Sequence, residues 1–348
     1  MIFVGDISLP FKDSILLQPL PKHMLNKNWF GNLEGALIDN CLKNKTYTDR
    51  VVFNDKTAIK SLCSNLNFSG FALANNHIFD TGSYDDTTQF LNDNNIAFGG
   101  IGKSSFEANK PIIFFENGKK IIILNFGWEV IQCEVFSGKK HGVNPLTKNH
   151  VISTVKKSLK DYPDANIIAF MHWNYELEAE PQPLERELAK KIIDMGISGV
   201  IGCHPHRIGG FEMHKGKPII YSLGNWMFKQ NYFHNGRINF PDFCNQEVAC
   251  EWDFETNKIK FHFFNLDKNE SKLSYSHSED ISSETMRNFT PFYNLSNEDY
   301  KKYYKKNHFH KNKGLPIYYW EDTDFKIKIK NKLNKLRDLL IHILLKFR

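Results

Sequence analysis

The sequence lacks a paired cysteine motif. Its six cysteines are scattered over 348 residues, and no two of them have the C-x-x-C spacing. This absence excludes a zinc ribbon and a thioredoxin-like redox motif. We therefore expect reduced thiols.

Long apolar runs and a strong excess of one charge are also missing. No window reaches the ~18 to 20 apolar residues that a membrane-spanning helix needs, and the first residues, MIFVGDISLP, lack the regions of a signal peptide. We therefore expect a cytoplasmic protein. The 45 basic residues are offset by 39 acidic ones, so the composition gives no reason to expect a nucleic-acid partner.

Apolar strand-like runs alternate with helical patterns across the first two thirds of the chain, which predicts a layered α/β fold. Within one apolar run, Asn117-Gly118 indicates a hairpin, and the alternation over 246–266 predicts a second antiparallel pair. The predicted strands are 2–6, 68–73, 111–126, 166–172, 198–202 and 217–224. The predicted helices are 83–95, 147–162 and 183–196, the last ending at Gly196.

The composition changes near residue 268, where the chain becomes polar and poor in large apolar residues. We predict one domain over 1–267, a polar linker or irregular extension over 268–324, and a basic amphipathic helix over 325–348. The H-x-H pair in NHFHKN, His308 and His310, is interpreted as part of a solvated segment.

Several side chains that can bind metals share one position, at the C-terminal end of a predicted strand or just after it. Loops from several strands converge at such ends in open α/β sheets. Carboxylates, imidazoles and an amide oxygen together suit one or two divalent transition metals, namely Mn, Zn or Fe. These side chains, from five separate segments, are Asp6, Glu34, Asn76, His77, His172, His204 and His206.

Each of these residues also has a simpler explanation. Asp6 alone fits a turn or helix cap, and His172 alone fits a core histidine with its hydrogen bonds satisfied. The coincidence of five strand-end segments favours a shared site, since the simpler explanations must account for each segment separately.

The same segments, in the same order, resemble the CapA family of capsule and poly-γ-glutamate biosynthesis proteins, a bacterial branch of the calcineurin-like metallophosphoesterase superfamily. The matching stretches include FVGDISL, NLEGAL, LANNHIFDTG and a nearly continuous block from His172 to Phe228. The resemblance extends over residues 2–228 and identifies 1–267 as a CapA-type domain with a metallophosphoesterase-like fold.

The resemblance implies a role for each matching residue. His77 corresponds to a general acid or phosphate-stabilising residue, and Glu176 is assigned with it to the catalytic group. The implied metal ligands are Asp6, Glu34, Asn76, His172, His204 and His206, and the supporting residues are Asn32, Trp173 and Asn225. Ser8 stands where the superfamily usually has a histidine ligand, so the resemblance leaves open whether one metal binds or two.

Two functions follow from the resemblance. The first is a metal-dependent hydrolase or transferase that acts on a polymer or small-molecule substrate in the synthesis or modification of a capsule-type or poly-γ-glutamate-like surface polymer. The second is a non-catalytic, metal-binding component of a polymer synthesis or export complex.

The basic amphipathic helix predicted over 325–348 has two interpretations. It attaches the protein peripherally to the anionic inner face of a membrane, or it packs on its own domain or on a second copy of the chain.

Overall fold

Two large β-sheets lie face to face at the centre of the protein, and helices cover their outer faces. The computed structural model describes residues 1–39, 51–136, 141–232, 238–311 and 313–346.

The first sheet has nine strands and combines a parallel half with an antiparallel half. β1, β3, β6 and β7 run parallel to one another, whereas β17, β18 and β19 form antiparallel pairs at the other side of β1. Its strands, numbered in chain order and given in spatial order, are β2 (Leu16–Leu17), β19 (Lys272–Asp280), β18 (Lys258–Asp267), β17 (Gln246–Asp253), β1 (Ile2–Ser8), β3 (Trp29–Leu33), β6 (Phe68–Ala72) and β7 (Ala97–Gly99), with β16 (Asn225–Phe228) also paired to β1.

The second sheet has six strands, and its central strands are parallel. In spatial order they are β14 (Phe211–His214), β15 (Lys217–Ile220), β13 (Gly199–Cys203), β12 (Asn166–His172), β10 (Lys119–Gly127) and β9 (Ile112–Glu116). Two short ladders pair β4 (Ala36–Ile38) with β5 (Phe53–Asp55), and β8 (Ile101–Gly102) with β11 (Gly142–Val143).

The α-helices of the described residues follow the strands as crossover connections or lie in the C-terminal third. They are α1 (Lys22–Leu25), α2 (Lys56–Asn65), α3 (Tyr84–Asp93), α4 (Ser105–Ala108), α5 (Lys148–Asp161), α6 (Pro183–Met195), α7 (Glu284–Asn288), α8 (Asn297–Asn307) and α9 (Asp324–Lys346).

The strands alternate between two apolar layers because successive side chains point to opposite faces. Phe3 of β1 lies between the two sheets, and its neighbour Val4 lies under the helices. Aromatic rings join the sheets directly, since Phe30 of the first sheet packs edge-on against Phe170 of the second, with ring centroids 5.4 Å apart. The predicted layered α/β class is confirmed.

The local signals for the hairpin and for the end of α6 also agree with the structure. Asn117 and Gly118 both have positive φ (49° and 79°) and join β9 to β10, as a type I′ turn requires. Helix α6 begins at Pro183, with a capping box between Gln182 and Glu185, and Gly196 follows its last residue with φ 124°.

The segment 268–324 differs from the irregular linker that we expected. β19 pairs along the length of β18, and α8 buries the rings of Tyr300 and Tyr304 in the main core. His308 and His310 are each only 6% exposed, so the solvated interpretation of this pair is wrong. The composition misled because much of this segment is held by buried hydrogen bonds, such as those that Glu178 accepts from Phe309 and His310, and because β19 lies near the edge of the sheet.

The C-terminal helix spans Asp324–Lys346, and residues 347–348 of the predicted helix lie outside the described residues. Within the part of the chain that the structure describes, no helix is both long enough and apolar enough to cross a membrane.

Candidate metal centre

The candidate site lies where the C-terminal ends of parallel strands from both sheets meet. Asp6 lies in β1, Glu34 directly follows β3, and Asn76 lies in the loop after β6. His172 is the last residue of β12, and the loop after β13 carries His204 and His206. Gly5 lets β1 approach the chain before β16, since a Cβ there would lie 1.8 Å from the Gly224 carbonyl oxygen.

Asp6 is fully buried at the centre of this group. Its Oδ1 accepts a hydrogen bond from Asn32 Nδ2 (2.8 Å), and its Oδ2 accepts one from the backbone N–H of His204 (3.0 Å). His172 Nδ1 lies 3.9 Å from Oδ1. Asp6, His172 and Cys203 each offer one ligand atom, and these atoms lie within 4.8 Å of one another, which is close enough to share a metal ion.

A second group with the same property consists of Glu34, His204 and His206. Glu34 is fully buried, and among the described residues neither of its carboxylate oxygens has a hydrogen-bond partner. His206 connects the two groups, because its Nε2 lies 3.7 Å from Glu34 Oε1 and its Nδ1 lies 3.6 Å from Asp6 Oδ2. The two groups are therefore adjacent parts of one centre.

Amide side chains orient two of the imidazoles. His172 Nε2 lies 2.8 Å from Asn76 Oδ1, and His206 Nδ1 lies 2.9 Å from Asn225 Oδ1. A ring nitrogen that donates to an amide oxygen fixes the tautomer and leaves the other ring nitrogen with its lone pair. In His206 that nitrogen is Nε2, which faces Glu34.

His77 stands beside Glu34 and is partly exposed. Its Nδ1 lies 2.7 Å from Asp80 Oδ2, and its Nε2 lies 3.8 Å from Glu34 Oε1. Asp80 is itself held by the backbone N–H of Val52 (2.9 Å). The Asp80 carboxylate therefore orients the ring so that Nε2 is directed toward the centre.

Burial shifts the pKa values of the carboxylates and imidazoles in opposite directions. It raises the pKa of Asp6 to about 7, and burial together with the charge of Asp6 raises the pKa of Glu34. Burial lowers the pKa of His172 and His204, and brings that of His206 to about 3. The imidazoles are thus neutral near pH 7, as metal ligands must be.

The same burial makes a negative charge on Glu34 costly unless a cation compensates it. The unpartnered carboxylate and the neutral imidazoles together fit a divalent cation. Imidazole nitrogens with carboxylate oxygens are a donor set that suits zinc, manganese or iron.

The backbone at the two loop histidines is strained. His204 and His206 have φ angles of 97° and 58°, which non-glycine residues rarely adopt. Such strain persists where surrounding contacts impose it, and it is common at functional sites. Here the hydrogen bond from His204 N–H to Asp6 holds the loop against β1.

A cavity of about 510 Å³ opens onto this centre. Its lining includes Asn76, His77, His204 and His206, and the exposed side chain of Glu176 stands at its wall. The opening gives a substrate access to the centre from one side.

The structure brings nearly all of the sequence-predicted site residues to this centre or its cavity. Asn32 and Asn225 contact Asp6 and His206. Trp173 is the exception, because its Nε1 donates to the Tyr221 carbonyl (2.8 Å) within the core. Ser8 also takes no part, since its hydroxyl donates to the Phe53 carbonyl (3.3 Å).

Sequence reasoning missed Cys203 and Asp80. Cys203 ends β13 directly before His204, and its Sγ lies 3.3 Å from His172 Nδ1. Burial raises the pKa of its thiol. Asp80 follows His77 by three residues, and this spacing in the turn after β6 is the one signal that could have identified it.

Two similar proteins from Bacillus species are both CapA proteins. The PGA biosynthesis protein CapA of Bacillus subtilis is 29% identical over 247 residues, which are 66% of this chain and 63% of that protein. The capsule biosynthesis protein CapA of Bacillus anthracis is 28% identical over 209 residues, which are 58% of this chain and 50% of that protein. The match thus spans about half to two thirds of the length of these relatives.

Among solved structures, the 5'-nucleotidase precursor from Thermus thermophilus aligns with 68% of this chain and 45% of its own, at 13% identity and a TM-score of 0.34. The family model described as bacterial capsule synthesis protein PGA_cap matches residues 22–230, which include every candidate ligand except Asp6. The chain belongs to the bacterial capsule synthesis protein PGA_cap family.

Proposed function

We propose that this protein is a metal-dependent hydrolase or transferase with a phosphoesterase-like site, acting in the synthesis or modification of a capsule-type or poly-γ-glutamate-like polymer. One observation carries the proposal. The buried Glu34 carboxylate, without a hydrogen-bond partner among the described residues, faces neutral imidazoles at the end of an open cavity. A purely structural core would leave such a charge uncompensated.

The metal ligands of the proposal are Asp6, Glu34, Asn76, His172, His204 and His206. A divalent cation bound there supplies Lewis-acid polarisation of the bond to be cleaved and activation of a water molecule. Glu34 and His206, joined at 3.7 Å, hold one side of the centre, and Asn76 and His172, joined at 2.8 Å, hold the other.

His77 is the proposed general acid. Its Nδ1 lies 2.7 Å from Asp80 Oδ2, and this contact orients the ring so that Nε2 can donate a proton to a leaving group in the cavity. Glu176, exposed in the same cavity, is the second catalytic candidate and would orient a substrate donor or accept a proton.

The names of the relatives support a substrate in surface-polymer synthesis, since both are CapA proteins of capsule or PGA biosynthesis. The other candidate, a non-catalytic metal-binding component of a polymer synthesis complex, uses the same ligands. A non-catalytic component does not require a protonatable imidazole, oriented by a carboxylate, beside its metal ligands. The His77–Asp80 pair therefore favours the enzyme.

The test uses metal-loaded protein with a phosphomonoester, a phosphodiester and a γ-glutamyl peptide as substrates. We expect turnover of at least one of them, and a drop in kcat of about 100-fold or more in His77→Ala with unchanged metal content. His214→Ala is the matched control, because His214 pairs with Asp194 outside the cavity. Full metal content with no turnover of any substrate, and polymer formation in cells unaffected by His77→Ala, would favour the non-catalytic component.

A further inference from the structure

The segment that follows α8 is fixed against the loop that follows the ligand His172. We call residues 308–311 and 313–318 the strap. Glu178, buried in that loop, accepts hydrogen bonds from the backbone N–H groups of Phe309 (2.8 Å) and His310 (3.4 Å). Tyr175 donates its hydroxyl proton to the Pro316 carbonyl (2.9 Å). The strap is thus built into the surroundings of the centre, although it lies outside residues 22–230.

The strap and α9 together form one wall of the cavity that leads to the metal centre. His310 and Lys313 line it from the strap, and Asn334 and Arg337 line it from α9. A substrate that reaches the centre through this opening passes these four side chains.

Two acceptor atoms of this wall are buried without a hydrogen-bond partner among the described residues. Asn334 is 4% exposed, and its Oδ1 has no donor. His310 is 6% exposed, and its Nε2 donates to the Glu176 carbonyl, which leaves Nδ1 as an unpartnered acceptor. Buried polar atoms are normally hydrogen-bonded, so two orphaned acceptors on one cavity wall indicate a ligand that donates to them.

The wall also carries two positive charges. The Lys313 ammonium is exposed at the cavity, and the half-buried Arg337 guanidinium lies near Tyr175 and His310. The carboxylates of Glu176 and Asp80 also line the cavity, and Asp80 is engaged by His77. Cations beside unpartnered acceptors suit a ligand that combines a negative group with a nearby N–H or O–H donor.

We propose that the strap and α9 form a substrate-binding wall, in which Lys313 and Arg337 bind an anionic group while Asn334 and His310 accept hydrogen bonds from the amide or hydroxyl donors beside it. An acidic amide-linked chain has this chemistry, and so does a hydroxylated phosphate ester. The inference rests on the proposed function, because it takes the cavity as the path to the reacting centre.

The test measures KM and equilibrium binding for two probes, a γ-glutamyl oligomer and a sugar phosphate. Arg337→Ala and Lys313→Ala are each expected to weaken binding about tenfold, since each removes a charge-assisted hydrogen bond. Higher ionic strength should reduce the difference from wild type, and the metal content should stay near that of wild type. Lys332→Ala is the matched control, because this exposed lysine is on α9 and does not line the cavity.

The probes and readouts separate the outcomes. Weaker binding of the oligomer alone assigns the wall to carboxylates, and weaker binding of the sugar phosphate alone assigns it to phosphate. If both variants turn over substrate and show wild-type KM and binding for both probes, the inference that this wall binds substrate is wrong. The proposed function would not be affected by that result. If the two variants bind a probe more weakly but wild type turns over no substrate, the substrate-binding wall is supported and the proposed enzymatic activity is contradicted.

The opposite face of α9 carries an independent inference. This face presents a row of apolar side chains to solvent at helical spacing, namely Phe325 (73% exposed), Ile329 (43%), Leu333 (55%), Leu336 (57%) and Leu340 (61%). The other face of the helix turns toward the body of the protein, where Ile327 packs on the core, Asn331 Oδ1 accepts from the Tyr318 hydroxyl (2.9 Å) and Asn334 is buried. Packing on its own domain therefore does not cover the leucines.

Lysines surround this apolar row. Lys326, Lys328 and Lys332 are exposed beside it. A second copy packed on the same face would bring these lysines against their equivalents, which is unfavourable. An anionic lipid surface compensates them and accepts the apolar side chains.

We infer that this face of α9 docks on an anionic membrane surface. The test is co-sedimentation with vesicles of phosphatidylglycerol and phosphatidylcholine in equal amounts, compared with phosphatidylcholine alone. Binding to the anionic vesicles is expected to fall at least about tenfold in the double variant Leu333→Ser, Leu336→Ser, and to weaken at high salt.

Phe106→Ser is the matched control, because Phe106 is a 69%-exposed aromatic side chain on α4. Equal binding of wild type and double variant, or no binding to anionic vesicles, would overturn the inference. A concentration-dependent dimer that the double variant abolishes would assign the face to a second copy instead.

Discussion

At the scale of single residues, Glu34 shows how a buried site differs from a buried core. Glu34 and Glu247 are both buried carboxylates, yet one oxygen of Glu247, Oε2, accepts the backbone N–H of Met227 (2.9 Å), whereas neither oxygen of Glu34 has a donor among the described residues. A carboxylate without donors destabilises a fold unless a cation binds to it. We attribute this difference to the proposed role of Glu34 as a metal ligand.

Glu34→Gln is expected to weaken divalent-metal affinity at least about tenfold and to raise the melting temperature of the metal-free protein, because it removes an uncompensated buried acid. Glu247→Gln keeps an oxygen that can accept from the Met227 N–H, and it should leave metal affinity unchanged. Metal titration and thermal denaturation of the two variants measure both effects. Unchanged metal affinity in Glu34→Gln would contradict the ligand assignment.

The stability of the metal-free protein should also depend on Asp6. Its pKa is raised from 3.8 to about 7, so the folded state favours the neutral acid. The stabilisation is complete below pH 3.8 and is lost as the pH rises toward about 7.

Relative to Asp6→Asn, metal-free wild type should therefore lose stability over this pH window, by about 5 °C or more in melting temperature. A saturating divalent metal should reverse the trend, because it binds the ionised form. Thermal denaturation at several pH values checks this. Parallel pH curves for the two metal-free proteins would show that Asp6 does not titrate in this window.

The sequence could predict which residues follow strands, because apolar periodicity and the turn residues locate strand ends. It could not predict side-chain direction. Trp173, next to His172, points into the core, whereas Cys203, next to His204, faces the centre. That choice depends on the loop conformation, including the positive φ of His204, which long-range contacts with Asp6 impose.

At the scale of elements, the strap is a part of the fold that the amino-acid composition did not predict. Its contacts are polar, with Glu178, Tyr175 and Gln182 each holding backbone groups of the strap. Hydrophobic periodicity does not report such contacts, whereas it located α5, α6 and the β9–β10 hairpin well. Elements held by apolar faces are thus predictable from the pattern, and elements held by buried hydrogen bonds are not.

Glu178→Ala should release the strap while leaving the sheets intact. It leaves the N–H groups of Phe309 and His310 without their acceptor, at a cost of about 1 to 3 kcal/mol. Hydrogen exchange is expected to lose protection at residues 308–311, with protection in β12 unchanged. Exchange as slow as in wild type would mean that other contacts hold the strap.

At the scale of the whole molecule, the packing of two sheets brings candidate ligands from distant parts of the chain together. Asp6 and Glu34 come from the nine-stranded sheet, and His172, His204 and His206 come from the six-stranded one. The layered class was predictable from the alternation of strands and helices. The pairing of the two sheets was not, because it depends on contacts such as Phe30 with Phe170, 140 residues apart (170 − 30).

Phe170→Ala tests this dependence. Removing a fully buried ring between the sheets should lower the free energy of unfolding by about 3 to 5 kcal/mol. It should also weaken metal binding, since the two halves of the centre lie on different sheets. Phe115→Ala is the control, because this ring is 65% exposed on β9. Chemical denaturation measures the loss of stability, and metal titration measures the metal affinity. A local cavity would lower stability without changing metal affinity, whereas a shift between the sheets would lower both.

The most direct test of the central claim is anomalous diffraction from crystals of the protein loaded with Mn²⁺. We predict one or two anomalous peaks enclosed by Asp6, Glu34, Asn76, His172, His204 and His206. A loaded crystal with no peak there, or with a peak only at the other described group of possible ligands, would contradict the account. That group is His23, Glu251 and His262.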